Sequence, residues 1–134
     1  MVKSKNPNKQ RKAAFSASPH VKRKRVRARL QSSDNRLVGI RRVTVRVGDQ
    51  VKVVRGDYGH PSKGKRHGGP RGNSGLEAKV IRVDADNSRI FIEGATSSKA
   101  DNKEEGVPIH SSNVVVTKLD ETDPMRMKRI TDRS

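Results

Sequence analysis

The chain has 134 residues, with 31 Lys and Arg against 14 Asp and Glu, a formal net charge of +17 and no cysteine. On the usual scale of about 100–200 residues per domain that is one modest domain with tails, and 30% hydrophobic with 2% aromatic residues leaves a small core of Val and Ile. The missing Cys excludes disulfide staples, thiolate metal sites and thiol catalysis; no apolar run nears the roughly 18 residues of a bilayer span and the first residues lack a signal-peptide pattern, so the chain reads as soluble and intracellular, with no membrane span.

The charge is unevenly spread. Residues 1–30 carry eleven Lys and Arg and no acid, residues 31–75 carry ten against three acids, and residues 76–134 carry ten against eleven. A basic half joined to a neutral half is what a polyanion partner selects, through phosphate neutralisation and counterion release. A solvated charge run kept for solubility is the plain alternative, and a membrane-surface segment a lesser one. Eleven like charges repel when nothing neutralises them, which favours nucleic acid.

In chain order, residues 1–18 are polar and basic without a period, an arm expected to be disordered when free. "PHVKRKRVRARL" from Pro19 to Leu30 reads as a helix, with Ser18 as N-cap and Pro19 in its first turn. Its apolar Val21, Val26, Ala28 and Leu30 form no stripe, so it is expected to order against a phosphate backbone and not a protein core. A helical turn is expected after "SSD" at Ser32 to Asp34, ending near Gly39. Period two then begins: Val43, Val45 and Val47 alternate, Gly48-Asp49 turns the chain, and Val51 and Val53 resume. "EAKVIRV" from Glu77 and "RIFIEG" from Arg89 flank "DADNS" as a hairpin. Past a polar loop at Ala95 to Gly106, "VPIH" suits an edge strand because Pro108 cannot donate to a ladder. "NVVVTKL" from Asn113 closes the set, and Asp123-Pro124 caps a last helical turn, Met125 to Ile130. The fold class is mainly β: a small antiparallel barrel over residues 41–119, with a basic arm and short helix over 1–40, a basic Gly-rich insertion at 59–75, and a tail over 120–134.

Catalytic readings fail on their details. Gly59 to Lys65 has the spacing of a phosphate loop, but Arg66 stands where Ser or Thr must hold magnesium and "HGGPRG" breaks the helix that must follow. His60 and His67 have no acid or thiol in their loop, and His20 and His110 have no evident catalytic partner, so no metal site and no cofactor are expected. Asp84 and Asp86 sit where a hairpin turn wants Asp. With so few aromatic rings, base stacking is not the main mode of recognition. Tyr58 and Phe15 are placed to stack, and Phe91, between Ile90 and Ile92, reads as core.

"GDQVKVVRGDYG" followed by a glycine-rich turn and "AKVIRV" resembles the KOW motif. "NKQRKAAFSASPHVKRKRVRA" at Asn8 to Ala28 and "IHSSNVVVTKLDETD" at Ile109 to Asp123 are similar to the basic arm, closing strand and acidic tail of large-subunit ribosomal protein twenty-four in its archaeal and eukaryotic form, called twenty-six in eukaryotes. The resemblance covers nearly the whole chain in order. It implies an SH3-like barrel that binds large-subunit ribosomal RNA near the exit of the nascent-chain tunnel, acts early in assembly, neighbours other large-subunit proteins, and is monomeric within the cytoplasmic ribosome. It implies no small-molecule substrate and no enzyme activity. Barrel turns of that family contact RNA, which carries over to Arg55, Gly56, Asp57 and Tyr58; for Gly56 making the turn is an equal reading. One departure is the long loop from Gly59 to Gly75, where the family turns tightly.

The RNA-contacting residues expected are then Lys9, Arg11, Lys12, His20, Lys22, Arg23, Lys24, Arg25, Arg27 and Arg29 of the arm, with Arg41 and Arg42 at the barrel's entry. Arg55, Gly56 and Tyr58 follow in the turn, and Lys63, Lys65, Arg66 and Arg71 in the loop, whose plain alternative is a tolerated insertion. Contacts should go mainly to phosphate and RNA shape. A KOW-type transcription or elongation factor binding nascent RNA and polymerase is the alternative function, and a DNA-packaging protein a third.

Overall fold

Two short helices lead into the sheet. The computed structural model describes residues 2–56, 58, 75–98, 100–101 and 103–134, so the predicted basic loop and its phosphate-loop spacing lie outside the described residues, Gly75 excepted. Helix α1 (Pro7–Phe15) starts at Asn6, whose side chain accepts from the Asn8 N–H, with Pro7 in the first turn. Residues 1–18 show no hydrophobic period, yet Lys, Gln, Arg and Ala are good helix formers, and α1 buries none of its residues. Helix α2 (Pro19–Arg25) does begin at Ser18, which caps through its carbonyl, accepting from Val21 and Lys22 N–H, and not through its hydroxyl.

The expected helix does not reach Leu30. It ends at Arg25, and β1 (Arg27–Leu30) is a strand with Ala28 and Leu30 buried and Arg27 and Arg29 exposed. Val26, Ala28 and Leu30 recur at period two and find a sheet to pack on, which outweighs helix propensity. The segment predicted to order on phosphate thus contributes three residues to the core.

A 3-10 turn at Asn35–Leu37 follows Asp34, whose carboxylate accepts from the Arg36 N–H, and the chain leaves it through Gly39 at φ +90°. Then come β2 (Arg42–Thr44), β3 (Gln50–Val53), β4 (Glu77–Asp84) and β5 (Arg89–Ile92). The segment expected as a polar loop holds a small ribbon, β6 (Thr96–Ser98) with β7 (Glu104–Gly106). β8 (Ile109–His110), a 3-10 turn at Ser111–Asn113, β9 (Val114–Lys118) and helix α3 (Pro124–Thr131) complete the chain.

The main sheet runs β2-β1-β9-β3-β4-β5-β8. It is the mainly β, barrel-like fold expected, with β8 at an edge and β4–β5 as the predicted hairpin. It is mixed where the alternation pattern suggests a purely antiparallel one: β1 runs parallel to β9, Arg29 opposite Val115 and Leu30 opposite Val116. The strand of the arm slots beside the closing strand, and the whole barrel lies between them as crossover. β9 is thereby central, with β1 on one side and β3 on the other, and its three valines are all buried.

One core cluster, entirely Val, Ile, Leu and Ala, joins Val26 and Val43 at one side to Ile90 and Ile109 at the other. Phe91 is not in it. Alternation along β5 sends Ile90 and Ile92 inward and Phe91 to the opposite face, where the Arg82 guanidinium lies 5.1 Å from its ring centre. Val47 is 55% exposed because β2 ends at Thr44, before the turn. No helix among the described residues is long and apolar enough to cross a membrane.

Asp49 and Arg126 make a buried bidentate pair, Nη1 to Oδ1 and Nη2 to Oδ2 both at 2.6 Å. Asp49 also accepts from the N–H of Arg46 at 3.0 Å and of Asp120 at 2.9 Å, while Arg126 donates to the Thr44 carbonyl at 3.0 Å. We expect Asp49→Ala and Arg126→Ala each to destabilise the fold by about 3–5 kcal/mol, since either leaves a buried charge alone. The double variant should lose less than the sum; urea unfolding of the three variants measures both.

Candidate nucleic-acid interface

The outward face of the sheet gathers cations in a row. Register places Arg42 opposite Arg29, Arg29 beside Val115, Val115 opposite Lys52, and Lys52 opposite Glu77. With neighbouring strands about 4.8 Å apart, the row crosses from β2 to β4, with the buried Val115 between Arg29 and Lys52 and Glu77 at its end. Gln50, next on the same face of β3, has Lys118 and Lys79 as its register partners. Glu77 accepts from Gln50 and from Thr117. Arg29, Arg42, Lys52, Lys79 and Lys118 are all exposed, and none forms an ion pair among the described residues. Arg29 and Arg42 are like charges directly opposite one another, which is destabilising on a sheet, so this pair raises the energy of the free protein and offers a site to an anion.

The arm adds exposed cations on helical surface. Lys9, Arg11 and Lys12 lie on α1, Arg11 donating to Asn8 Oδ1 at 3.0 Å. Arg23, Lys24 and Arg25 fill the last turn of α2 and face solvent. Lys22 does not: it pairs with Asp86 at 3.1 Å and lies 5.8 Å from the centre of the Phe15 ring. Phe15 itself is 85% exposed, open to stacking. His20 is exposed, 3.4 Å from the Ser18 hydroxyl. Arg27 and Arg41 are exposed beside the sheet.

The turn after β3 lies at the other end of that strand from Gly48. Val54 and Arg55 N–H both donate to the Asn113 carbonyl, leaving the Arg55 side chain exposed. Gly56 has φ +73° with open space around it, the left-handed backbone that favours glycine. Tyr58 is not a free platform: its ring packs against the core cluster and its hydroxyl donates to the Thr96 carbonyl at 3.3 Å. Asp57, Lys63, Lys65, Arg66, Arg71, His60 and His67 fall outside the described residues.

The carboxylates, by contrast, serve the fold. The Asn87 side-chain amide, then backbone N–H groups, hold the Asp84 carboxyl below its ordinary range in the hairpin turn. Arg36 does the same to Asp34 and bridges to Glu121 at 2.8 Å. Asp123 is lowered chiefly by the Arg126 backbone N–H and then by the Arg46 guanidinium, and it caps α3 through the N–H of Met125 and Arg126. Sequence reading missed Lys52, Lys79 and Lys118, whose shared face appears only with strand register. The alternation of "QVKV" and "EAKV" is the signal that points Lys52 and Lys79 outward.

A depressed carboxylate stabilises the fold at neutral pH, and that contribution is lost as pH falls through the depressed value, below the ordinary 3.8. Asp123→Ala should therefore lower the melting temperature at pH 7, with the gap from the unsubstituted protein narrowing below pH 3.8 in calorimetric scans. A gap unchanged down to about pH 2 would show that the charge has no part in the cap.

The architecture is that of a small basic barrel of the SH3-like, KOW-bearing kind, reached by a basic arm. Residues 4–133 match the family described as the eukaryotic L26 and archaeal L24 ribosomal proteins. Large ribosomal subunit protein uL24 of Sulfolobus acidocaldarius is 38% identical over 130 residues, 97% of this chain and 85% of that protein. The protein of the same name from Methanocella arvoryzae is 39% identical over 127 residues, 95% and 90% of the two chains. That of Saccharolobus solfataricus is 37% identical over 124 residues, 92% of each. The chain belongs to this family of ribosomal proteins, and so to the proteins of the large subunit.

Proposed function

We propose that the chain is a structural constituent of the large ribosomal subunit that binds ribosomal RNA through the arm, the outward sheet face and the turn after β3. It joins the subunit early, near the exit of the nascent-chain tunnel, as a single copy beside other large-subunit proteins in the cytoplasm. The observation that carries RNA binding is the exposed cross-strand pair Arg42 and Arg29, two like charges directly opposite one another that form no ion pair among the described residues, with Lys52 further along the same face. Helix α1 supports it. A nine-residue helix that buries nothing is below the length of about 12–15 residues at which isolated helices become stable in water, and a phosphate backbone supplies both contact and neutralisation. Lys63, Lys65, Arg66 and Arg71 add four cations without an acid in the loop. With one Tyr and two Phe in the chain, recognition goes to phosphate position and RNA shape.

Two measurements test this reading. In a sucrose gradient of native lysate, the protein should remain at stoichiometric level in the large-subunit peak through a high-salt wash; migration with polymerase or at the top of the gradient would refute it. Arg29→Gln/Arg42→Gln should flatten the slope of log K against log salt by about 1.4–1.8 on deproteinised large-subunit RNA without lowering the melting temperature, because it removes repulsion and not packing.

A further inference from the structure

At the Gly48 end of β3, away from Tyr58, an open groove of about 1210 Å³ lies between α2 and α3. Arg23 and Lys24 of α2 line one wall, Arg27 stands at the start of β1, and Arg129 and Arg133 come from the end of α3 and the residues after it. None of these five forms an ion pair among the described residues. The groove's carboxylates already have partners: Asp86 holds Lys22, Asp123 holds Arg46 and caps α3, and Asp120 accepts from Thr122. Asp120, whose partners are neutral, offsets one of the five charges, and the groove keeps a positive surplus of four. Two apolar side chains are exposed in it, Val47 at 55% and Met125 at 61%.

We propose that this groove holds an unpaired segment of RNA, its phosphates between the α2 and α3 cations and a sugar or base against Met125 and Val47. The inference rests on the reading that the chain binds ribosomal RNA, and it deepens that reading by making the C-terminal helix one wall of the interface. Charge complementarity selects a polyanion, because five cations sharing one concave surface raise its potential and draw anions into it. The apolar strip selects nucleic acid with accessible sugar and base over bare phosphate, and an unpaired strand over an A-form duplex, which presents phosphates and hydroxyls across a shallow groove. The buried Arg126–Asp49 pair sets the wall's position, since it ties α3 to the turn at Gly48.

The test uses the full chain and deproteinised large-subunit RNA over a salt series. Arg129→Gln/Arg133→Gln changes two exposed residues and should flatten the salt slope by about 1.4, which is about tenfold in affinity at roughly 0.15 M salt if binding at about 1 M is unchanged. If this variant binds like the unsubstituted protein while Arg29→Gln/Arg42→Gln is weakened, the groove proposal fails and the RNA-binding reading stands. If neither variant is weakened, both fall. A second readout is independent of affinity: with a benzophenone amino acid in place of Met125 in assembled subunits, irradiation should give a protein–RNA adduct. An adduct to a neighbouring protein, or none, would overturn the assignment.

Discussion

The buried pair of Asp49 and Arg126 is the constraint on which the arrangement depends. A carboxylate and a guanidinium removed from water are tolerated only when every lone pair and proton finds a partner, and here the Asp49 oxygens take four donors, two from Arg126 and two from backbone. Those donors come from the turn before β3, the residue after Leu119, and α3. One side chain thus fastens the start of the barrel to its end. The same knot demands Gly48: its φ is +94°, and a Cβ there would lie 2.8 Å from Asp120 Oδ2.

A division of labour between acids and bases follows. Asp34, Asp84 and Asp123 cap turns or helices, Asp49 clasps, and Asp86 anchors α2. These carboxylates are committed within the fold, whereas most arm and sheet-face cations are not. The surface offered to a partner is consequently more positive than the formal balance of the later segments suggests. Residues 76–134 look neutral by count, yet Arg129 and Arg133 stand open while Asp120 and Asp123 are engaged.

The outward stripe and the groove also explain why so basic a chain needs a barrel at all. Flexible cations give affinity without direction. Strand register holds Arg29, Arg42 and Lys52 in one row, and a rigid row presents its charge with less entropy to lose on contact. The valine-rich core under that row has no aromatic residue, so close packing of β-branched side chains keeps it stiff.

The β4–β5 hairpin, the edge strand just after Pro108, the turn at Gly48 and the Asp123 cap are legible in the sequence because they are local signals, in which neighbouring residues decide the conformation. That the chain is a small, basic, mainly β protein with its charge concentrated early is readable from the residues alone, because composition and period two depend on nothing distant. The rest follows from long-range packing. "VRARL" is a strand only because β2 and β9 lie on either side of it; Phe91 faces outward because Ile90 and Ile92 occupy the core. Arg126, one basic residue among several in a short helix, becomes the clasp through a partner 77 positions away in the chain. Which cations share a face is likewise a matter of register, and register is set by the packing of the whole sheet.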